Sequence, residues 1–216
     1  MAKPGATSQV SRVSSDRSSA TRQLLIRSAI ETLRVDGFAG ASARAIAERA
    51  GSNQGLVFYH FGSVVNLLLA ALDEVSAMRL EQYNAVVEGV DLPSELVEAA
   101  TAIFREDLDA GYVTVLVEMI AGASSTPGLG AEVSARIAPW FAFAQRALES
   151  SSGASPLASM LPSKDVAYGL VALYLGLEML AHLEGDPAPA LSLFAHAKQL
   201  AGLLEKLGQA DPKETR

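Results

Sequence analysis

The chain has 216 residues, half of them hydrophobic and 19% charged, which is enough for one or two domains with a buried core. It contains no cysteine and three histidines, which excludes disulfides, thiolate nucleophiles, iron–sulfur clusters and cysteine-type zinc sites, and leaves little for a histidine metal site. The net charge of −7 is uneven: residues 1–60 hold eight basic and four acidic residues and the remainder nine and twenty, so a head of +4 precedes a body of −11, as expected if one end meets a polyanion.

Residues 1–18 are rich in Ser, Ala and Gly, have no period, and read as a flexible basic tail. They lack the apolar core of a signal segment, no uncharged stretch reaches the roughly 18 apolar residues of a membrane helix, and the composition suits a reducing cytoplasm. A first helix is expected from Ser18 or Ser19, with Leu24, Leu25, Ala29, Ile30 and Leu33 as its apolar stripe and Gly37 as its stop. Ser42 is a good N-cap for a second helix, which Gly51 ends. Asn53 can cap a short third helix, and Ser63 a long fourth one running to Gly89. Helices follow over 93–110, where Pro93 suits a first turn, over 112–124, and over about 130–150 after the breaker STPGLG. A polar connector at 150–156 leads to two apolar helices, 163–185 and 188–207, joined by a turn too short for anything but an antiparallel pair. Period-2 alternation is absent over any useful length, so the fold class reads as all-α with about nine helices.

The sharpest local signal is SARAIAERAGSNQGLVFYHF at 42–61. Ala47 is small where two helices would touch, Gly51 accepts a positive φ at the turn, and Ile46, Ala50 and Val57 point into a shared core, as a helix-turn-helix requires. Ser52 departs from the apolar residue usual after the Gly. On this spacing alone, DNA binding stands beside an ordinary helical hairpin.

The run from Thr21 to Leu72 resembles the N-terminal domain of TetR-family transcriptional regulators. The resemblance rests on DGF at 36–38, ASARAIAERAG at 41–51, the aromatic QGLVFYHFGS at 54–63 and NLLLAAL at 66–72. It implies a helix-turn-helix DNA-binding domain at 19–64, a ligand-binding and dimerisation domain at 65–208, and a flexible tail at 209–216. The helix at 54–60 would enter the major groove, with Gln54 pairing with adenine, Asn53 and Ser52 reaching bases or phosphates, Gly55 allowing close approach and Leu56 meeting a thymine methyl. Tyr59 and His60 fall where the family contacts DNA, and Ser42, Ala43 and Arg44 lie where a helix start meets phosphate. Phe58 and Phe61 read as core. The family's usual Lys after Ser63 is Val64 here, which removes a phosphate contact and about one unit of salt slope; Arg12, Arg17 and Arg22 are candidates to compensate in the flanking minor groove.

The rest is expected to sense a small apolar or amphipathic effector and to form a homodimer on palindromic double-stranded operator DNA, most simply as a repressor released by that effector. Dimer candidates are Val166, Gly169, Leu170, Leu173, Leu177 and Leu180 on one helix, and Phe194, Ala197, Leu200 and Leu204 on the next. Ligand candidates are Phe104, Tyr112, Val115, Met119, Trp140, Phe141 and Tyr174, with Phe143 adding apolar surface and Glu118 either orienting the ligand or paired with Arg105, Arg136 or Arg146. No hydrolase, zincin, phosphate-loop or complete dinucleotide motif occurs, so no catalytic residue, metal or cofactor is expected. A helical carrier or interaction module without DNA binding is the alternative; it would explain the acidic body but not the basic head.

Overall fold

The structure, a computed structural model, describes residues 6–151 and 162–209, with side chains for 16–151 and 162–207. Among these residues the chain is all helical: α1 (Ala6–Gly40), α2 (Ala43–Arg49), α3 (Gln54–Phe61), α4 (Val64–Val87), α5 (Pro93–Ala110), α6 (Tyr112–Ala123), α7 (Leu129–Ser151), α8 (Ser163–Glu184) and α9 (Ala188–Gln209). The bounds follow local chemistry. Ser42 Oγ accepts the Ala45 N–H at 3.1 Å, Asn53 Oδ1 the Gly55 N–H at 2.8 Å, and Ser63 Oγ the Asn66 N–H at 3.1 Å, so the three expected caps form. Gly51 has φ 58° at the α2–α3 turn, and Gly37 breaks α1 with φ 69°.

Two expectations about helices need correction. Helix α1 starts at Ala6 rather than Ser18 or Ser19. A stretch rich in Ser and Ala lacks an apolar period yet remains compatible with helix, because Ala favours it and Ser only mildly opposes it. The apolar stripe of α1 also includes buried Ile26, whereas Leu24 is partly exposed. All of the expected 209–216 tail but its first residue, and most of the 150–156 connector, lie outside the described residues.

The chain forms two compact units. The first takes residues 1–75 and 114–133, and the second 76–113 and 134–216. The helices α4, α6 and α7 each contribute residues to both. In the first unit α1 packs on α2 and α2 on α3, around fully buried Leu25, Leu33, Ile46 and Val57. In the second, α5, α8 and α9 pack together, with Phe104, Ala181 and Ala190 at the centre of one cluster.

Helix α8, at 22 residues, is long and apolar enough to cross a membrane by length and composition. Counting only charge-free runs missed this because Glu178 interrupts the apolar stretch.

Candidate functional site

The helix-turn-helix is built from small local decisions. Ala47, 2% exposed, leaves room for α3 to cross α2, and the Ser52 N–H donates to Ala47 O at 2.9 Å across the turn. Arg49 then ties α2 to α1, donating to Thr32 Oγ1 at 2.7 Å and Asp36 Oδ2 at 2.9 Å. Arg44, by contrast, is exposed and held only by Glu48, one helical turn away at 2.8 Å. An exposed pair of this kind contributes little and is easily exchanged for a phosphate.

The outer face of α3 is open. Asn53, Gln54, Gly55 and Tyr59 are exposed, Tyr59 at 78%, while Ser52, Leu56 and His60 are half-buried. Ser42 is exposed too. The cap bonds nevertheless occupy one side-chain oxygen each of Ser42 and Asn53, so these residues present mainly the helix N-terminus and its free N–H groups. The Ala43 side chain is buried, so what it can offer at the α2 start is its backbone. The core assignment of Phe58 is overturned, since it is 52% exposed. Four aromatic-cluster positions in a row cannot all face inward on one short helix, and Val57 takes the inward place. Phe61 is half-buried, with the Arg22 guanidinium 5.2 Å from its ring centroid.

The ligand candidates divide between the units. Val115, Glu118 and Met119 belong to the first, where Val115 and Met119 are fully buried core. Glu118 Oε2 accepts the Phe38 N–H at 2.8 Å. In the second unit Phe104 is fully buried, with Tyr174 edge-on to it at 5.7 Å. Trp140 Nε1 donates to Ser76 Oγ at 3.4 Å, and Phe141 stacks on exposed Tyr168 at 5.1 Å. A cleft of about 490 Å³ is lined by Glu81, Asn84, Phe143 and Arg146, among others.

The sequence reading missed the most unusual polar feature of the second unit. Arg79 and Asp107 are each 2% exposed, and Glu178 is 4% exposed. Arg79 donates to Asp107 and, at 3.0 Å, to Glu106. The hydroxyls of Tyr83 and Tyr174 both donate to the second Asp107 oxygen, Tyr174 at 2.6 Å. The Arg79 cation also lies 4.8 Å from the ring centroid of Tyr112. Burial pushes the Asp107 carboxyl up against the opposing pull of Tyr174 and Arg79. Burial first, and the Asp107 charge second, push Glu178 up to about 8, and the same two causes raise the Tyr174 phenol. Arg79 Nε and Glu178 Oε1 have no hydrogen-bond partner. A signal was present: Arg79, Asp107 and Glu178 each stand four residues after a residue of the apolar face, namely Val75, Ile103 and Tyr174.

Of the dimer candidates, Leu177 and Phe194 are half-buried against the Phe104 cluster of their own chain. Gly169, Leu170, Leu173, Leu180, Leu200 and Leu204 are exposed, while Val166 and Ala197 are half-buried. Further apolar side chains stand out on the same two helices, among them Met179, Leu183 and Leu203.

The profile of the family "Bacterial regulatory proteins, tetR family" matches residues 25–71. An HTH-type transcriptional regulator of Mycobacterium bovis, itself uncharacterised, is 31% identical over 115 residues, which is 53% of this chain and 58% of that protein; a Mycobacterium tuberculosis relative matches equally. The aligned chain thus spans little more than half the length of these relatives. A putative TetR-family transcriptional regulator from Rhodococcus sp. superposes with a TM-score of 0.70 at 22% identity, covering 85% of this chain and 98% of that one. The transcriptional regulator FadR from Bacillus subtilis, solved with stearoyl-CoA, gives a TM-score of 0.69 at 12% identity, covering 83% and 96%. These likenesses show that the chain has the fold of such regulators.

Proposed function

We propose that this chain, whose residues 25–71 match the profile of the tetR family of bacterial regulatory proteins, is a DNA-binding transcriptional regulator rather than an enzyme. It acts as a homodimer on a palindromic operator and, as a repressor, is released by a small apolar or amphipathic effector. The observation that carries the reading is the division of labour in α2 and α3. Ile46, Ala47 and Val57 are buried, and Gln54 and Tyr59 are exposed on the outer face, beside an N-terminus whose N–H groups suit phosphate. Gln54 supplies base readout, and Arg44 and Tyr59 supply backbone contacts.

Dimerisation is supported by the leucines that α8 and α9 leave exposed, Leu173, Leu180, Leu200 and Leu204 among them, an apolar surface that a second copy would cover. Effector sensing is supported by the second unit, where Phe104, Tyr112 and Tyr174 surround buried polar groups of which two atoms are unpartnered. A ligand that binds one arrangement of this unit better than another shifts the population of the DNA-competent state by that difference in affinity.

The test is a mobility-shift titration of the full chain on its own upstream DNA, with Gln54→Ala alongside. Native binding that Gln54→Ala weakens by about tenfold or more, with relaxed discrimination at one base pair, is expected. No native shift at low salt would overturn the reading.

A further inference from the structure

Gly37, Phe38, Glu118 and Gly122 form one closed seat within the first unit. At Gly37 the backbone of α1 turns with φ 69°, and the next N–H, that of Phe38, donates to Glu118 Oε2 at 2.8 Å, across 80 residues of sequence. One turn further along α6, Gly122 lies against the Phe38 ring: a Cβ there would fall 2.5 Å from three ring carbons. A Cβ on Gly37 would fall 2.9 Å from the same Glu118 oxygen. The seat is therefore held by a charge-assisted hydrogen bond on one side and by the missing Cβ of Gly122 on the other.

Neither residue is what α6 needs for its own stability. Glu118 interrupts a run of apolar residues, and a glycine inside a helix is unfavourable relative to alanine. What they secure is the position of the α1 end. The same segment of α1 carries Thr32 and Asp36, to which Arg49 of α2 is bonded, so the angle of α1 is passed directly to α2 and from there to α3.

We propose that Glu118 and Gly122 are positioning residues for DNA binding: they fix the end of α1, and with it the presentation of α3, without touching DNA themselves. The inference rests on the regulator reading given above.

The experiment compares full-length native protein with Glu118→Ala, Glu118→Gln and Gly122→Ala, reading DNA affinity by fluorescence anisotropy on the upstream fragment and stability by urea unfolding. Glu118→Ala and Gly122→Ala are expected to bind about tenfold more weakly while still folded, and Glu118→Gln, which keeps an acceptor oxygen, to stay within about threefold of native. The glycine variant is decisive on its own, since helix propensity alone predicts a more stable protein and the seat predicts a lower urea midpoint with weaker DNA binding. Should Glu118→Ala fail to fold, Glu118→Gln and Gly122→Ala carry the comparison. Native binding that both Glu118→Ala and Gly122→Ala leave undiminished overturns the seat, whereas a native chain that ignores DNA overturns the regulator reading instead.

Discussion

Arg79 and Asp107 form an ion pair inside the second unit, each side chain 2% exposed, with two tyrosine hydroxyls completing the carboxylate's shell. Charges this deep are costly to bury, and their attraction offsets that cost only while both are present. Removing one partner strands the other. Arg79→Met and Asp107→Leu should each destabilise the chain by about 3–5 kcal/mol, whereas the double variant should lose much less than the sum. Urea unfolding of the four proteins measures the coupling. Additive losses would show that the pair is not the unit it appears to be in its geometry.

The carboxyl of Glu178 gives this unit a pH dependence of known sign. Its pKa is pushed from 4.5 to about 8, so the folded chain holds the proton more tightly than the unfolded chain. The resulting stability is full below the unfolded value and is lost as pH rises through the folded one. Asp107, also raised, contributes in the same direction. The urea midpoint should therefore fall between about pH 5 and about pH 8.5, and Glu178→Gln should flatten that slope and exceed native stability at the alkaline end. A midpoint that rises with pH over this window would contradict the assignment.

The turn of the helix-turn-helix rests on backbone conformation at Gly51. Its φ is 58°, and a Cβ there would meet nothing within 4 Å, so a substitution is opposed by conformation alone. Gly51→Ala should cost about 1 kcal/mol and Gly51→Val more, while Gly51→Asn, which tolerates the left-handed region, should recover most of the loss. Thermal unfolding of the three variants checks the order.

Covering the leucines of α8 and α9 is the role given to a second chain. Leu173→Asp with Leu180→Asp, both exposed positions, should leave the protomer folded but single in sedimentation velocity, and should reduce operator affinity by at least about a hundredfold, because one head alone binds weakly. A native chain that already sediments as a monomer at micromolar concentration would remove this interface.

What the sequence made legible was local. Gly51 at the turn, Ala47 at the crossing, the caps Ser42, Asn53 and Ser63, and the inward places of Ile46 and Val57 all follow from rules spanning a few residues. The bounds of α5 follow equally, because Pro93 and Gly111 punctuate it. What failed was either non-periodic or long-range. The α1 start was hidden by a Ser- and Ala-rich stretch that carries no stripe. Phe58 was misplaced because a family's motif does not say which member of a cluster faces inward. Glu118 found its partner 80 residues away on a backbone N–H, and a backbone donor leaves no trace in composition. The Arg79, Asp107 and Glu178 cluster escaped because buried charge contradicts the very pattern used to find buried positions.

The most direct test is the mass of the complex formed by the full chain on a palindromic fragment from its own promoter, measured by sedimentation at low and then moderate salt. Two chains per duplex are predicted, with an affinity that falls steeply as salt rises. A single chain per site, or no complex even at low salt, would contradict the account.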